Sequence, residues 1–142
     1  MKSSDSKYAQ CLYFTSNALA RKMEKLAVES LKPAGLSPSH AYLLMMVLED
    51  AGQQPGYLAQ QLQLTPSTIT RLLEKLEEKK LVIRNTEGKV TMVYPTQKGK
   101  QLWPALNNCI QDFQNACSKL QNQHDSSRVL LNMHKLADKL DQ

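Results

Sequence analysis

The sequence of 142 residues has little glycine, with five residues, and it lacks any long apolar run. A helix that crosses a bilayer needs about 20 predominantly apolar residues, and no segment offers them. The polar start, MKSSDSKYAQ, is not followed by the apolar core of a signal peptide. We therefore expect residues 1–142 to fold as a single domain that contacts no membrane and works in the cytoplasm.

Cysteine is also scarce, since Cys11, Cys109 and Cys117 are the only three and lie far apart. An odd, scattered set argues against the disulfide framework of a small secreted protein. No CxxC pair occurs and the histidines lack ligand spacing, so we expect no metal site and no cofactor. The sequence shows no Ser/His/Asp set, carboxylate pair or glycine-rich phosphate loop. We therefore predict a protein without catalytic residues or enzymatic activity.

Positive charge is in modest excess, with a net charge of +5. This excess suits a polyanionic partner such as nucleic acid. Many basic proteins bind nothing acidic, however, so the location of the charge must decide.

The i, i+3/i+4 spacing of apolar residues predicts helices over most of the chain. A first helix is expected from about Ser6 to Leu31. A second, AYLLMMVLED, follows Ser37 as N-cap and Pro38 at the first helical position. Because this helix is apolar on nearly every side, we expect it at the centre of the domain. A short third helix is predicted from about Pro55 to Leu62.

Two β-rich runs, LVIRN and VTMVY, then interrupt the helical pattern. The residues between them, 86–89, include a glycine and predict a hairpin turn. Beyond Thr96 the pattern predicts one long helix. A break around His124 to Ser127 precedes a last amphipathic helix.

Between the third helix and the hairpin lies LTPSTITRLLEKL, residues 64–76, whose first turn is rich in poor helix formers. Thr65 is the expected N-cap and Pro66 the first helical residue, with the helix running to about Lys79. When Ile69 faces the core, the leucines that follow share its side. The residues expected on the outward side and its flanks are Ser67, Thr68, Thr70, Arg71 and Lys75.

The outward residues of this helix suit DNA contact. Short hydroxyl side chains permit close approach to base edges or phosphates, and arginine can bind guanine bidentately. The alternative is that Ser67 and Thr68 help to cap the helix, while Arg71 pairs with Glu74 or Lys75 with Glu78. The helix viewed alone does not separate these two interpretations.

The element order favours the DNA interpretation. Helix, short helix, turn, helix and hairpin is the order of a winged helix-turn-helix, whose second helix enters the major groove. The hairpin is basic, with Arg84 on one strand and Lys89 at its tip, and we expect both side chains to contact DNA. We predict a mainly α fold with a small β-hairpin wing. Residues 37–96 are expected to bind double-stranded DNA, and residues 5–34 and 97–142 to form a helical dimerisation region.

The runs LAQQLQLTPSTITRLLEKLEEKKLVIRN and PTQKGKQL resemble the MarR family of bacterial transcriptional regulators. The family pattern is "LA..L..S.ST.TR.L..LE..GLV.R", then a wing, then "LT..G". The resemblance implies a homodimer that binds a palindromic operator and usually represses, with half-sites about 10 bp apart. It carries DNA contact to Ser67, Thr68, Thr70 and Arg71, and places Arg84 and Lys89 in the wing.

Three positions depart from the family pattern. Lys80 replaces the glycine that commonly ends the recognition helix, so a residue with a Cβ must make that turn. The wing tip TEGK lacks the acidic residue and two arginines of the family, and lysine replaces arginine imperfectly in a minor groove. Pro95 stands in place of the usual leucine before Thr96.

The resemblance also implies a signal that releases DNA, most often a small aromatic or phenolic ligand. A redox branch of the family uses a cysteine near the start of the first helix, which Cys11 resembles in position. Some of its members pair that thiol with a cysteine in the fifth helix of the partner, where Cys109 and Cys117 lie. All three cysteines fall on apolar stripes and no basic residue adjoins Cys11, which favours packing over thiolate chemistry. A winged-helix module that binds protein instead of DNA is the remaining alternative.

Overall fold

A computed structural model of the chain describes residues 1–122 and 125–141, apart from the side chain of Ser126. Within those residues the elements are α1 (Leu12–Leu31), α2 (Pro38–Glu49), α3 (Pro55–Leu62), α4 (Pro66–Glu78), β1 (Val82–Glu87), β2 (Val90–Pro95), α5 (Gln97–Gln101), α6 (Trp103–Gln121) and α7 (Ser126–Leu140). The predicted class, mainly helical with a hairpin after the fourth helix, is confirmed. In the described part of the chain, no helix combines the length and apolar character that crossing a bilayer requires.

The apolar helix α2 lies at the centre of the core, as predicted. Its residues Ala41, Leu43, Leu44 and Val47 are fully buried. Around it pack side chains from the neighbouring helices and the hairpin, among them Leu58, Ile69, Leu73, Leu76, Val93, Leu106 and Ile110. Each fully buried leucine or isoleucine contributes about 1.5–3 kcal/mol, so this cluster fixes α4 and the hairpin against α2.

The first helix begins later than the apolar spacing predicted. Residues Ser3–Asp5 form a single 3-10 turn, and Cys11 is the N-cap of α1 with an extended backbone. The Ser6 hydroxyl accepts a hydrogen bond from the backbone N–H of Tyr8. Such local bonds compete with helix formation, which explains why the apolar stripe before Leu12 is not helical.

The hairpin is longer and its turn tighter than predicted. Strand pairing runs from Val82 opposite Pro95 to Glu87 opposite Val90, which leaves a two-residue turn. The first turn residue, Gly88, has φ +61°, as in the type II′ turns that match the twist of paired strands. Thr86, expected in the turn, instead faces Thr91 across the strands with their hydroxyls 2.9 Å apart.

The loop after α2 pairs with the second strand of the hairpin through a single β-bridge. Gly52 donates its backbone N–H to the carbonyl of Val93 at 2.8 Å, and Val93 donates to Gln53 at 3.0 Å. The hairpin is thus held by hydrogen bonds to the α2–α3 loop as well as by its buried side chains.

The helix predicted beyond Thr96 is divided into two. Leu102 is both the C-cap of α5 and the N-cap of α6, and Pro104 lies in the first turn of α6. Because proline has no backbone N–H and favours the first turn of a helix, it starts α6 instead of continuing α5. Of the break predicted around His124 to Ser127, His124 lies outside the described residues, and α7 begins at Ser126.

Candidate nucleic-acid interface

The helix α4 begins as its sequence predicts. Thr65 is the N-cap, its Oγ1 accepts from the backbone N–H of Thr68 at 3.3 Å, and Pro66 occupies the first helical position. On the inner side Ile69, Leu73 and Leu76 have no exposed surface. Burial of three large side chains stabilises a helix whose first turn has poor intrinsic propensity.

The outward side of α4 presents the predicted polar set. Ser67, Thr70, Arg71 and Lys75 are exposed, and Thr68 is half-buried. The Thr70 hydroxyl donates to the Pro66 carbonyl at 3.0 Å, and the Thr68 hydroxyl lies 2.9 Å from that of Thr65. A hydroxyl has two acceptor lone pairs besides its one donor. These side chains can therefore support the helix start and still accept a hydrogen bond from a ligand.

The charged residues of α4 behave differently from one another. Neither ion pair of the described residues involves Arg71, whereas Lys75 lies 3.5 Å from Glu78. Those two side chains are 55% and 69% exposed, so their pairing contributes little and can be given up to a ligand. Of the two ion pairs that the alternative interpretation of α4 predicted, the structure contains Lys75–Glu78, and Arg71 is not paired with Glu74.

The end of α4 is closed by Lys80 in the left-handed conformation, with φ +61°. The backbone N–H of Lys80 donates to Glu77 at 2.8 Å, and that of Leu81 donates to Leu76 at 2.9 Å. This pair of bonds is a Schellman motif, which usually has glycine at the position of Lys80. A residue with a Cβ therefore makes the turn, as the departure from the family pattern predicted.

The backbone carbonyls of the two residues that follow α4 are bonded to the start of α5. The Thr96 hydroxyl donates to the Lys80 carbonyl at 2.6 Å and accepts from the Gly99 N–H at 3.0 Å. The Lys98 ammonium donates to the Lys79 carbonyl at 3.0 Å. We call this set of contacts the α4–α5 latch. These contacts fix the C-terminal end of α4 against α5, the helix that follows the wing.

Arg84 is the site residue whose surroundings differ most from expectation. Its guanidinium donates through Nε and Nη2 to the carboxylate of Glu77 on α4, and both side chains are about two-thirds buried. The hydrogen bond to Glu77, opposed in part by burial, raises the pKa of Arg84. The structure thus couples Arg84 to α4, whereas Lys89 is exposed at the wing tip.

The three cysteines are free thiols and are distributed through the helical region. Cys109 is buried, while Cys11 and Cys117 are half-buried. Burial raises the pKa of the Cys117 thiol, which opposes the thiolate form that redox chemistry needs. Among the described residues, no cluster of His, Cys, Asp or Glu is placed to hold a metal ion.

Three side chains that the sequence did not predict as part of this site, Glu77, Thr96 and Lys98, bind α4 and the residues after it to the wing and to α5. Their partners are seven to nineteen residues away and two of the three bonds use backbone carbonyls. The pattern "LE..GLV.R" already contained the Glu77 and Arg84 positions, and their pairing could have been inferred from it.

Known proteins resemble this chain in sequence and in fold. A model of the MarR family matches residues 34–89, which hold α2, α3, α4 and β1. The HTH-type transcriptional repressor MdtR of Bacillus subtilis (strain 168) is 25% identical over 89 residues, covering 63% of this chain and 57% of MdtR. The chain therefore spans little more than half the length of this relative.

Two solved structures share the fold. The S. aureus MepR–DNA complex has a TM-score of 0.78 at 18% identity, covering 90% of this chain and 97% of that one. CouR from Rhodococcus jostii RHA1, bound to p-coumaroyl-CoA, has a TM-score of 0.69 at 20% identity, covering 99% and 94%. Residues 34–89 therefore resemble the MarR family, and the chain as a whole shares the winged helix-turn-helix fold of these two structures.

Proposed function

We propose that the protein is a sequence-specific DNA-binding repressor without enzymatic activity, which acts in the cytoplasm as a homodimer on a palindromic operator. The observation that carries this proposal is the outward end of α4. There Arg71, which takes part in neither ion pair of the described residues, lies among the hydroxyl residues Ser67, Thr68 and Thr70. The C-terminal end of the same helix is held by the hydrogen bond from Thr96 to the Lys80 carbonyl.

In this proposal α4 enters the major groove. Arg71 binds guanine bidentately, and Ser67, Thr68 and Thr70 contact neighbouring bases or phosphates. Lys75 leaves its weak pair with Glu78 for a phosphate. The acidic residues of α4 all lie in its C-terminal half, away from the end that approaches DNA.

The wing has two roles in the proposal. Lys89, exposed at the tip, contacts the backbone beside the operator. Arg84, which the sequence assigned to DNA contact, holds the wing against α4 through Glu77. The second role gives the wing a fixed position relative to the recognition helix.

Uncovered apolar surface supports the homodimer. Large apolar side chains on one side of α7 and its flank are exposed in the single chain: Val129, Leu130, Met133, Leu136 and Leu140. On α1 they are Leu12, Tyr13, Phe14, Leu19 and Val28. Extended apolar surface of this kind marks a protein interface, and a second copy would cover both helices.

For release from DNA we propose a small ligand, of the aromatic or phenolic type that the family resemblance implies. The CouR structure, which has the same fold, contains bound p-coumaroyl-CoA, and this supports the proposal of an organic ligand. The thiol alternative would use Cys11 and Cys117, and the raised pKa of Cys117 disfavours it.

The thiol alternative has a direct test in DNA binding after peroxide treatment. We expect the wild type and Cys11→Ser to respond equally to peroxide. Loss of DNA binding in the wild type alone would establish redox sensing through Cys11 in place of a ligand.

Binding of a palindromic duplex over a salt series tests the proposed function. The logarithm of affinity should fall linearly with log[salt], with a slope of about −0.9 for each phosphate contacted. Arg71→Ala should cost about 1–3 kcal/mol and relax the preference for one base. Arg128→Ala, on α7, is the matched control and should leave DNA affinity unchanged. A protein-interaction module would show neither the salt slope nor the Arg71 effect.

A further inference from the structure

A half-buried histidine, His40, lies beside the C-terminal end of α4. It belongs to the first turn of α2, the central helix against which α4 packs. Lys75 and Lys79, four residues apart at this end of α4, lie close enough to change the pKa of His40. We call His40, Lys75 and Lys79 the basic cluster.

The imidazole of His40 has one of its two nitrogens in use. Its Nδ1 is hydrogen-bonded to the hydroxyl of Ser37, and no hydrogen bond among the described residues involves its Nε2. A hydroxyl can donate to a neutral ring nitrogen or accept from a protonated one. Ser37 therefore holds the ring in either protonation state, and Nε2 remains available to a ligand.

The basic cluster continues the outward side of α4 toward its C-terminal end. Arg71, Lys75 and Lys79 are spaced by four residues and form a line about 12 Å long. The helix has 13 residues and is about 20 Å long, whereas the major groove is about 12 Å wide. When the N-terminal end of α4 contacts base edges, its C-terminal end therefore lies beside the DNA backbone, where phosphate is the available partner.

The charge that acts on His40 has one sign. Burial lowers its pKa from the ordinary 6.5, and Lys79 and then Lys75 lower the pKa further. No carboxylate of the described residues opposes this shift. Glu78 lies 3.5 Å from Lys75, but both side chains are mostly exposed, so a phosphate can replace this partner. The free protein thus keeps His40 neutral at pH 7, and an anion would reverse that preference.

We propose that His40, Lys75 and Lys79 together bind one phosphate group of the DNA backbone, an assignment that rests on the proposed function. When DNA binds, the imidazole takes up one proton from solvent and donates Nε2–H to a phosphate oxygen. The phosphate offsets the charge of the two lysines, which favours the imidazolium in the complex. The α4–α5 latch supports the site, because Lys98 fixes the backbone from which the Lys79 side chain extends.

Proton uptake makes the affinity for DNA depend on pH. A complex that binds one more proton than the free protein is favoured as the pH falls. In the range between the pKa of His40 in the free protein and its pKa in the complex, Kd should therefore fall by up to about tenfold per pH unit. The phosphate groups and lysines keep their charge in this range, so His40 is the member of the cluster that responds.

Titration of the full chain with a duplex that it selects from a random pool, at about pH 5.5 to 8 and constant salt, tests the site. We expect the wild-type Kd to fall with pH, and calorimetry in buffers of different ionisation enthalpy to show uptake of about one proton. His40→Gln should lose this pH dependence and match the wild type at about pH 8. His40→Lys, which is charged throughout, should bind more tightly than His40→Gln at about pH 8. His134→Gln, at an exposed position on α7, is the matched control and should keep the wild-type profile.

The outcomes separate this site from the proposed function. A wild-type Kd that does not change with pH, or a pH profile that His40→Gln shares, overturns the site and leaves DNA binding by α4 intact. Equal Kd values for His40→Lys and His40→Gln at about pH 8 overturn it as well. Lys79→Gln should weaken binding at every pH and reduce the salt slope by about 0.9, and an unchanged slope would contradict its phosphate contact. Absence of binding to any duplex at any pH overturns the proposed function and the site together.

Discussion

Gly99 is a residue at which the fold leaves no room for a side chain. A Cβ at this position would lie 2.3 Å from the carbonyl oxygen of Leu81. That oxygen already accepts the backbone N–H of Thr96 at 3.0 Å. The obstacle is therefore a hydrogen-bonded backbone group, which cannot move aside as a flexible side chain could.

We expect Gly99→Ala to lower the free energy of unfolding by about 1–3 kcal/mol, the usual cost of forcing atoms into a packed site. Gly56→Ala is the control, because nothing lies within 4 Å of its Cβ position. Since Gly56 lies inside α3, alanine there should stabilise by up to about 1 kcal/mol. Chemical denaturation measures the free energy of unfolding of both variants. If Gly99→Ala were as stable as Gly56→Ala, the proposed clash would be contradicted.

His40 adds a pH dependence to the stability of the fold. Burial lowers its pKa below the ordinary 6.5, and the nearby cations Lys79 and Lys75 lower it further. The unfolded chain therefore binds a proton at His40 more tightly than the folded chain does. The free energy of unfolding consequently decreases as the pH falls through the ordinary pKa of histidine. We expect His40→Gln to lose less stability than wild type between about pH 7 and pH 5. Denaturation at several pH values checks this, and parallel curves for the two proteins would rule it out.

The predictability of single residues depends on how far away their partners are. Thr65 and Pro66 start α4 as predicted, because an N-cap acts on the residues that immediately follow it. The partner of Arg84 was not predicted, because it lies on another element and is reached through space. Lys80 lies between these cases, since the sequence implied its turn but not the Thr96 bond to its carbonyl.

Among the elements, the wing and α4 act as one unit. The Glu77–Arg84 pair joins them, and its side chains are 32% and 29% exposed. This pair joins the wing to α4 in addition to the buried hairpin side chains and the hydrogen bonds to the α2–α3 loop. The strand pattern predicted the wing itself, but its length depended on the turn type, and the α2–α3 loop that pairs with Val93 gave no strand signal.

We expect Glu77→Gln to weaken binding of the operator by about 1–2 kcal/mol, although Glu77 lies on the side of α4 that faces the wing. The matched control is Glu78→Gln, which removes the same charge from an exposed pair. Removal of a carboxylate near DNA alone would strengthen binding in both variants. A Glu77→Gln protein that binds as tightly as Glu78→Gln would show that the pair does not position the wing.

For the whole molecule, the single chain leaves α7 with an exposed apolar side. Apolar periodicity predicted this helix, because the pattern is local, but the surface that covers it belongs to another molecule in the proposed dimer. Leu136 shares that apolar side with Met133 and is 46% exposed, whereas Leu131 is 51% exposed on the opposite side. Substitutions at these two leucines therefore distinguish an interface on the Met133 side of α7 from apolar residues that are merely exposed.

We expect Leu136→Glu to shift the protein to monomers, since burial of a carboxylate in an apolar interface is costly. Leu131→Glu should remain dimeric. Sedimentation equilibrium gives both masses. Dimers of equal stability in the two variants would place the interface elsewhere on the chain.

In the proposed function, a symmetric dimer presents two copies of α4 to DNA. Selection of bound duplexes from a random pool, with the full chain, measures both the symmetry of the site and the role of α4. We expect a palindrome whose half-sites are about 10 bp apart, and loss of base preference at one position per half-site in Arg71→Ala. A pool that shows no enrichment, or an enriched sequence that Arg71→Ala selects equally well, would contradict it.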